Sequence, residues 1–95
     1  NCMVVDSSAL LETAVDDIVL SAFGSAGQRC SALRVLFVQD DIADELLALL
    51  AGAMQQLRLG DPRNSATDIG PIIDAQAQAM LLAHIERMKR EARLI

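Results

Sequence analysis

Apolar and polar positions fall in blocks along this chain, and their spacing changes from block to block. Cys2, Met3, Val4 and Val5 make a short apolar run closed by Asp6, Ser7 and Ser8. That pattern predicts a buried strand, followed by side chains able to cap a helix. Leu10, Leu11, Ala14, Val15, Ile18, Val19 and Ala22 then recur at helical spacing, with Glu12, Asp16 and Asp17 off the stripe, which predicts an amphipathic helix over roughly 9–23. Gly24 and Gly27 end it, as residues that tolerate left-handed backbone and carry no Cβ. The β-branched and apolar stretch Leu33–Val38 predicts a second strand, stopped by Asp40 and Asp41, whose charge suits the start of a helix.

That next helix, about 41–57, carries Ile42, Leu46, Leu47, Leu49, Leu50, Ala53, Met54 and Leu57, an apolar face wide enough to predict burial between two layers. Leu59–Ser65, with its Gly60-Asp61-Pro62 core, reads as a loop. Beyond Gly70-Pro71, Asp74 is placed to cap a third helix over about 74–92, with Ala77, Met80, Leu81, Ile85, Met88 and Ala92 apolar. Its last part is crowded with charge, and the cations there complement the helix C-terminus.

Strand, helix, strand, helix, helix is an α/β order, and it leaves open whether the two strands pair with each other. At 95 residues the chain is one domain at most. It begins at Asn1 inside a strand-like run and stops at Leu94-Ile95 as a new apolar run begins, so a piece of a longer chain is expected, part of a three-layer domain whose other strands complete the sheet.

Composition narrows the function more than the fold. Apolar residues at 53% argue against disorder, and with aromatics at only 2% the packing falls to aliphatic side chains. A formal charge of −5 argues against nucleic acid as a partner, because phosphate binding needs a positive surface. No apolar run reaches the roughly 18–20 residues of a membrane span. Nothing in the chain reads as a secretion signal. Two cysteines are too few for a disulfide framework or a zinc site. A Cys2–Cys30 bridge stays open on sequence alone, but the context reads as a reducing cytoplasm. Cys2, inside a strand, is expected in the core. The single histidine, His84, reads as a helix-surface residue, and Met54, Met80 and Met88 as packing residues.

One stretch, Phe23–Arg34, could carry chemistry. Read as residues alone, Cys30 is either a buried core thiol between an apolar helix and an apolar strand, or a nucleophile favoured as thiolate by the adjacent Arg29. Gly24 and Gly27 would let a ligand approach the backbone, and Ser31 sets a hydroxyl beside the thiol.

The pattern Phe23-x-x-x-Gly27-Gln28-x-Cys30-Ser31-Ala32-x-Arg34 resembles the cysteine signature of the NAD(P)-dependent aldehyde dehydrogenases. Val4-Val5-Asp6, Phe37-Val38-Gln39, Gly60-Asp61-Pro62 and Asp68-Ile69-Gly70-Pro71-Ile72-Ile73-Asp74 are similar to the segments flanking that signature, so the resemblance covers the whole chain. Within the superfamily, Gly27–Arg34 and Gly70–Asp74 are most similar to the L-glutamate γ-semialdehyde (1-pyrroline-5-carboxylate) dehydrogenases, including those joined to a proline-oxidising flavoprotein. The resemblance implies that residues 1–95 are part of an aldehyde dehydrogenase catalytic domain, in a cytoplasmic homo-oligomer acting on a small-molecule aldehyde.

It also implies roles. The Cys30 thiolate attacks the aldehyde carbon, giving a hemithioacetal whose oxyanion is held partly by the Cys30 N–H; hydride passes to NAD, and water hydrolyses the resulting thioester. Ser31 helps bind the substrate carboxylate, with local backbone bonding as its alternative. Arg29 either steers an anionic substrate or is solvated, and Arg34 is an edge or ion-pair residue. The family's general-base glutamate lies in a Glu-Leu-Gly-Gly-Lys-like run upstream of Asn1, and its oxyanion asparagine further upstream, so Asn1 is not that residue. Where many relatives have a cofactor-contacting glutamine, this chain has Ala77, so no cofactor residue and no metal ligand is assigned. Two other readings remain: a dehydrogenase of another semialdehyde, and a self-associating α/β module in which Cys30 is incidental.

Overall fold

The structure, a computed structural model, describes residues 1–94; Ile95, at the end of the terminal apolar run, lies outside the described residues. Two strands and three helices follow in the expected order: β1 (Cys2–Val5), α1 (Leu11–Phe23), β2 (Val35–Val38), α2 (Asp40–Gln56) and α3 (Ala75–Glu91), with a tight left-handed turn at Ser25–Gly27 after α1. The pairing that the sequence leaves open is resolved. β1 and β2 are adjacent and parallel, in register Cys2↔Val35, Met3↔Leu36, Val4↔Phe37 and Val5↔Val38. Parallel neighbours need a crossover, and α1 supplies it.

Strand geometry sends alternate side chains to opposite faces. Met3, Val5, Leu36 and Val38 face the core, where Val5, Val15, Ile18, Leu33 and Leu46 are buried together. Cys2, Val4, Val35 and Phe37 take the other face, and Phe37 is 56% exposed. Cys2 is therefore not a core residue: helices cover one face of this sheet, and Cys2 is on the other. The expectation for α2 needs the same correction. Only Leu46 of that helix is buried, while Leu49 and Met54 lie on an open face, because α2 packs on one side alone.

Several boundaries shift for identifiable reasons. The Asp6 carboxylate does not cap α1; it accepts from the Ser8 N–H at 2.9 Å and the Ser8 hydroxyl at 2.6 Å, closing a turn before the helix starts. α1 begins two residues late, behind Leu10, with no side-chain cap. Leu33 is buried but outside β2, since its N–H bonds the Ser21 carbonyl at the end of α1. The Gln39 side chain accepts from the Ser7 N–H, tying the turn after β1 to the start of α2. Asp40 and Asp41 do occupy the first turn of α2.

The loop after α2 is held by its own polar side chains: Arg63 pairs with Asp61, and Asp68 accepts from the Arg58 N–H at 2.8 Å. A single parallel bridge, Leu59↔Ile69, closes it. Asp74 caps α3 as expected, accepting from the Ala77 N–H at 2.7 Å. α3 buries none of its residues, so Met80, Leu82 and Ile85 stand exposed. His84 lies on this helix surface, with Nδ1 3.1 Å from Arg87. No helix among the described residues is long and apolar enough to cross a membrane.

Candidate active site

The cysteine loop runs from the end of α1 to the start of β2, and its shape is set by backbone that ordinary residues avoid. Gly24 is not left-handed, having φ −52°; the left-handed residues are Ser25, Ala26 and Gly27, at φ 56°, 55° and 66°. Left-handed backbone costs a side-chain-bearing residue roughly 1–2 kcal/mol. Only the third position has the residue suited to it. There a Cβ would also sit 2.9 Å from the Ala22 carbonyl oxygen and 3.0 Å from Arg34 Nη1, so Gly27 is required by space as well as by φ.

Polar side chains fasten this strained segment. The Arg34 guanidinium donates to the Gly27 carbonyl, which makes Arg34 a clasp of the loop rather than an ion-pair residue; no carboxylate among the described residues pairs with it. Arg29 is exposed, and its guanidinium also has a partner in the fold. Its Nη2 donates to the Leu20 carbonyl at 2.7 Å, in the last turn of α1, where the exposed carbonyls and the helix dipole favour a cation. The guanidinium thus ties the residue beside Cys30 to the end of α1.

Cys30 and Ser31 occupy the central positions of a turn closed by the Ala32 N–H donating to the Arg29 carbonyl at 3.1 Å. Both side chains are exposed, and both cysteines are free thiols, so Cys30 is not the buried core residue that its apolar flanks allow. Ala32 and Leu33, immediately after, are buried and anchor the turn to the core. Among the described residues neither the Cys30 N–H nor the Ser31 N–H has an acceptor, which leaves two donors beside the thiol for a developing negative charge.

Two further residues complete the arrangement and were not assigned roles from the sequence. Asn1 Nδ2 donates to the Cys30 carbonyl at 2.8 Å, while the Asn1 carbonyl accepts from the N–H groups of Arg34 and Val35. Gln28 reaches the 71–73 segment: its Oε1 accepts from the Ile73 N–H at 2.8 Å, and its Nε2 faces the carbonyls of Ser25 and Pro71 at 3.2 and 3.4 Å. The signal for Gln28 was present in the glycine–glutamine–x–cysteine spacing; its partners, being backbone atoms far along the chain, were not. The Ala77 N–H donates to the Asp74 carboxylate at the start of α3.

The sequence profile of the aldehyde dehydrogenase family matches residues 1–95. The chain is similar to the bifunctional protein PutA of Escherichia coli (strain K12), at 56% identity over 93 residues that cover 98% of this chain and 7% of PutA. The 1-pyrroline-5-carboxylate dehydrogenase of Geobacillus kaustophilus is 41% identical over 95 residues, covering the whole chain and 18% of that enzyme. Among solved structures, PutA of Bradyrhizobium japonicum aligns at TM-score 0.97 and 56% identity, covering 99% of this chain and 10% of its own. The 1-pyrroline-5-carboxylate dehydrogenase from Thermus with bound NAD aligns at TM-score 0.93 and 30% identity, covering 99% of this chain and 18% of its own. The chain therefore spans less than a fifth of each of these relatives.

Proposed function

The chain belongs to the aldehyde dehydrogenase family, and on that premise we propose that it is the cysteine-bearing segment of the catalytic domain of a 1-pyrroline-5-carboxylate dehydrogenase. The intact enzyme oxidises L-glutamate γ-semialdehyde to L-glutamate in proline catabolism. The observation that carries this reading is the exposed Cys30 thiol on a turn whose two central N–H groups, of Cys30 and Ser31, have no acceptor among the described residues.

In that role the Cys30 thiolate adds to the aldehyde carbon, forming a carbon–sulfur bond as the carbonyl π electrons move to oxygen. The Cys30 N–H, which has no acceptor among the described residues, donates to that oxygen in this reading. Ser31 presents its hydroxyl from the neighbouring position of the turn, as a donor to the distal carboxylate of the substrate. The 1-pyrroline-5-carboxylate dehydrogenases similar to this chain supply the substrate assignment.

NAD is the hydride acceptor of this reading, supported by the family and by the NAD-bound Thermus relative. In this reading no residue of the segment is assigned to the cofactor, and NAD is held by the rest of the enzyme. The general base and the oxyanion asparagine likewise belong to the rest of the chain, and the isolated segment is expected to be inactive. A cytoplasmic homo-oligomer is part of the same reading, and it rests on the family alone.

Replacing Cys30 with Ala in the intact enzyme tests the proposal. NAD reduction with glutamate γ-semialdehyde should be abolished; retained turnover would remove Cys30 from the mechanism. Comparing aldehydes with and without a distal carboxylate tests the substrate, and a Ser31→Ala enzyme should lose much of its preference for the carboxylated one.

A further inference from the structure

We propose that Gln28 is a positioning residue for the nucleophile, holding the cysteine turn at a fixed distance from the Pro71–Ile73 segment through both ends of its side-chain amide. This inference rests on Cys30 being the nucleophile.

The geometry is specific to glutamine. Oε1 accepts from the Ile73 N–H at 2.8 Å, a good bond. Nε2 faces two acceptors, the Ser25 carbonyl at 3.2 Å and the Pro71 carbonyl at 3.4 Å. The amide can be oriented only one way here, because its oxygen must meet the N–H and its nitrogen the carbonyls. Glutamate in the same shape would turn an oxygen onto two carbonyl oxygens. Asparagine, one methylene shorter, would draw the amide back from the Ile73 N–H at 2.8 Å and the Pro71 carbonyl at 3.4 Å.

The place of this link in the loop gives it a catalytic consequence. Gln28 stands between the left-handed turn at Ser25–Gly27 and the turn that presents Cys30 and Ser31. Asn1, Arg34 and Arg29 fasten the loop to β1, to itself and to α1 respectively. Among the described residues, Gln28 is the one side chain that hydrogen-bonds it to the segment preceding α3. The same segment carries Asp74, the cap of α3, so the turn with the thiol and the start of α3 are set relative to each other by one amide. A nucleophile displaced by about 1 Å can lose on the order of a hundredfold in rate without any loss of its chemistry.

The test uses the intact enzyme with Gln28→Ala and Gln28→Glu, and Cys30→Ala as a control. For Gln28→Ala, kcat should fall roughly ten- to a hundredfold with KM nearly unchanged, while Cys30 still takes up one equivalent of iodoacetamide. For Gln28→Glu, the deficit relative to the native enzyme should shrink as pH falls toward the range of a glutamic acid, about 4.3 and above, since the protonated carboxyl regains a donor. A kcat within about twofold of native for Gln28→Ala, or a loss seen only in KM, overturns the proposal. So does activity lost only in proportion to folded protein, together with a Gln28→Glu deficit that does not vary with pH. If Cys30→Ala is dead while Gln28→Ala is fully active, the positioning role alone fails; if Cys30→Ala is active, the nucleophile assignment fails first.

Discussion

The side-chain amide of Asn1 donates to the carbonyl oxygen of Cys30 at 2.8 Å, joining the residue that leads into β1 to the peptide group of the exposed thiol. The same nitrogen lies 3.4 Å from the Ala32 carbonyl, so one side chain spans the turn from its reactive side to its buried anchor. Asn1→Ala should cost about 1 kcal/mol of stability, the usual net worth of a hydrogen bond whose acceptor can turn to water. Its effect on rate should be larger, on the order of tenfold in kcat of the intact enzyme, because it frees the peptide that carries the thiol. Asn1→Asp sets a carboxylate against two carbonyl oxygens and should be worse on both measures. Native kcat in Asn1→Asp would show that the turn is held without this bond.

Much of this architecture is legible in the chain, and its limits have physical causes. The helix stripes and the Asp74 cap are local patterns, so they read correctly from neighbouring residues. The Gly27 turn is also visible, but the glycine pair misplaces the strain: Gly24 is not left-handed, whereas Ser25 and Ala26 are, held there by contacts that no propensity encodes. Cys2 and α2 look more buried than they are, because periodicity reports an apolar face and not what covers it. The cysteine pattern points to Cys30 through resemblance to a family. The roles of Asn1, Gln28, Arg29 and Arg34 were hidden because each side chain ends on a backbone atom elsewhere in the chain.

Gly27 and Ala26 should respond in opposite directions to the same kind of change. Gly27→Ala adds a Cβ at φ 66°, 2.9 Å from a backbone carbonyl, and should destabilise by at least about 1–2 kcal/mol. Ala26→Gly removes a Cβ from φ 55°, and the strain relieved outweighs or matches the added freedom of the unfolded chain, about 0.5–1 kcal/mol. Its stability should be unchanged or up to about 1 kcal/mol higher. Denaturant unfolding of the intact enzyme measures both. A Gly27→Ala enzyme as stable as native would mean the loop does not hold this backbone.

Arg29 stands next to the thiol in sequence but donates to the end of α1. Arg29→Met keeps the aliphatic stem and removes the donors, leaving the Leu20 carbonyl with only the Gly24 N–H. The expected cost is about 1 kcal/mol of stability, seen in the thermal midpoint of the intact enzyme. The rate of Cys30 alkylation by iodoacetamide at fixed pH should stay within about twofold of native. A much larger fall in that rate, with the midpoint unchanged, would return the guanidinium to the thiol and contradict its place on the helix.

The turn after β1 should add an acid-sensitive element at the end of the strand pair away from the cysteine loop. The Asp6 carboxyl is held below its ordinary value first by the Ser8 hydroxyl and then by the Ser8 N–H, with a small opposing effect of burial. A group whose folded pKa is depressed stabilises the fold above its unfolded value, about 3.9 for aspartate, and that stabilisation is lost as pH falls through the lower folded value. The site is fully exposed, so solvent screens the effect and it should be small. Asp6→Asn keeps an acceptor for the Ser8 N–H but cannot titrate. Thermal midpoints of the native and Asp6→Asn proteins, measured from pH 7 down to about pH 3, should therefore differ most at neutral pH and converge below about pH 4. Ser8→Ala removes the larger cause of the shift and should narrow the same difference at neutral pH. A difference between native and Asp6→Asn that stays constant across the whole range would show that the Asp6–Ser8 bonds do not depend on the carboxylate's charge.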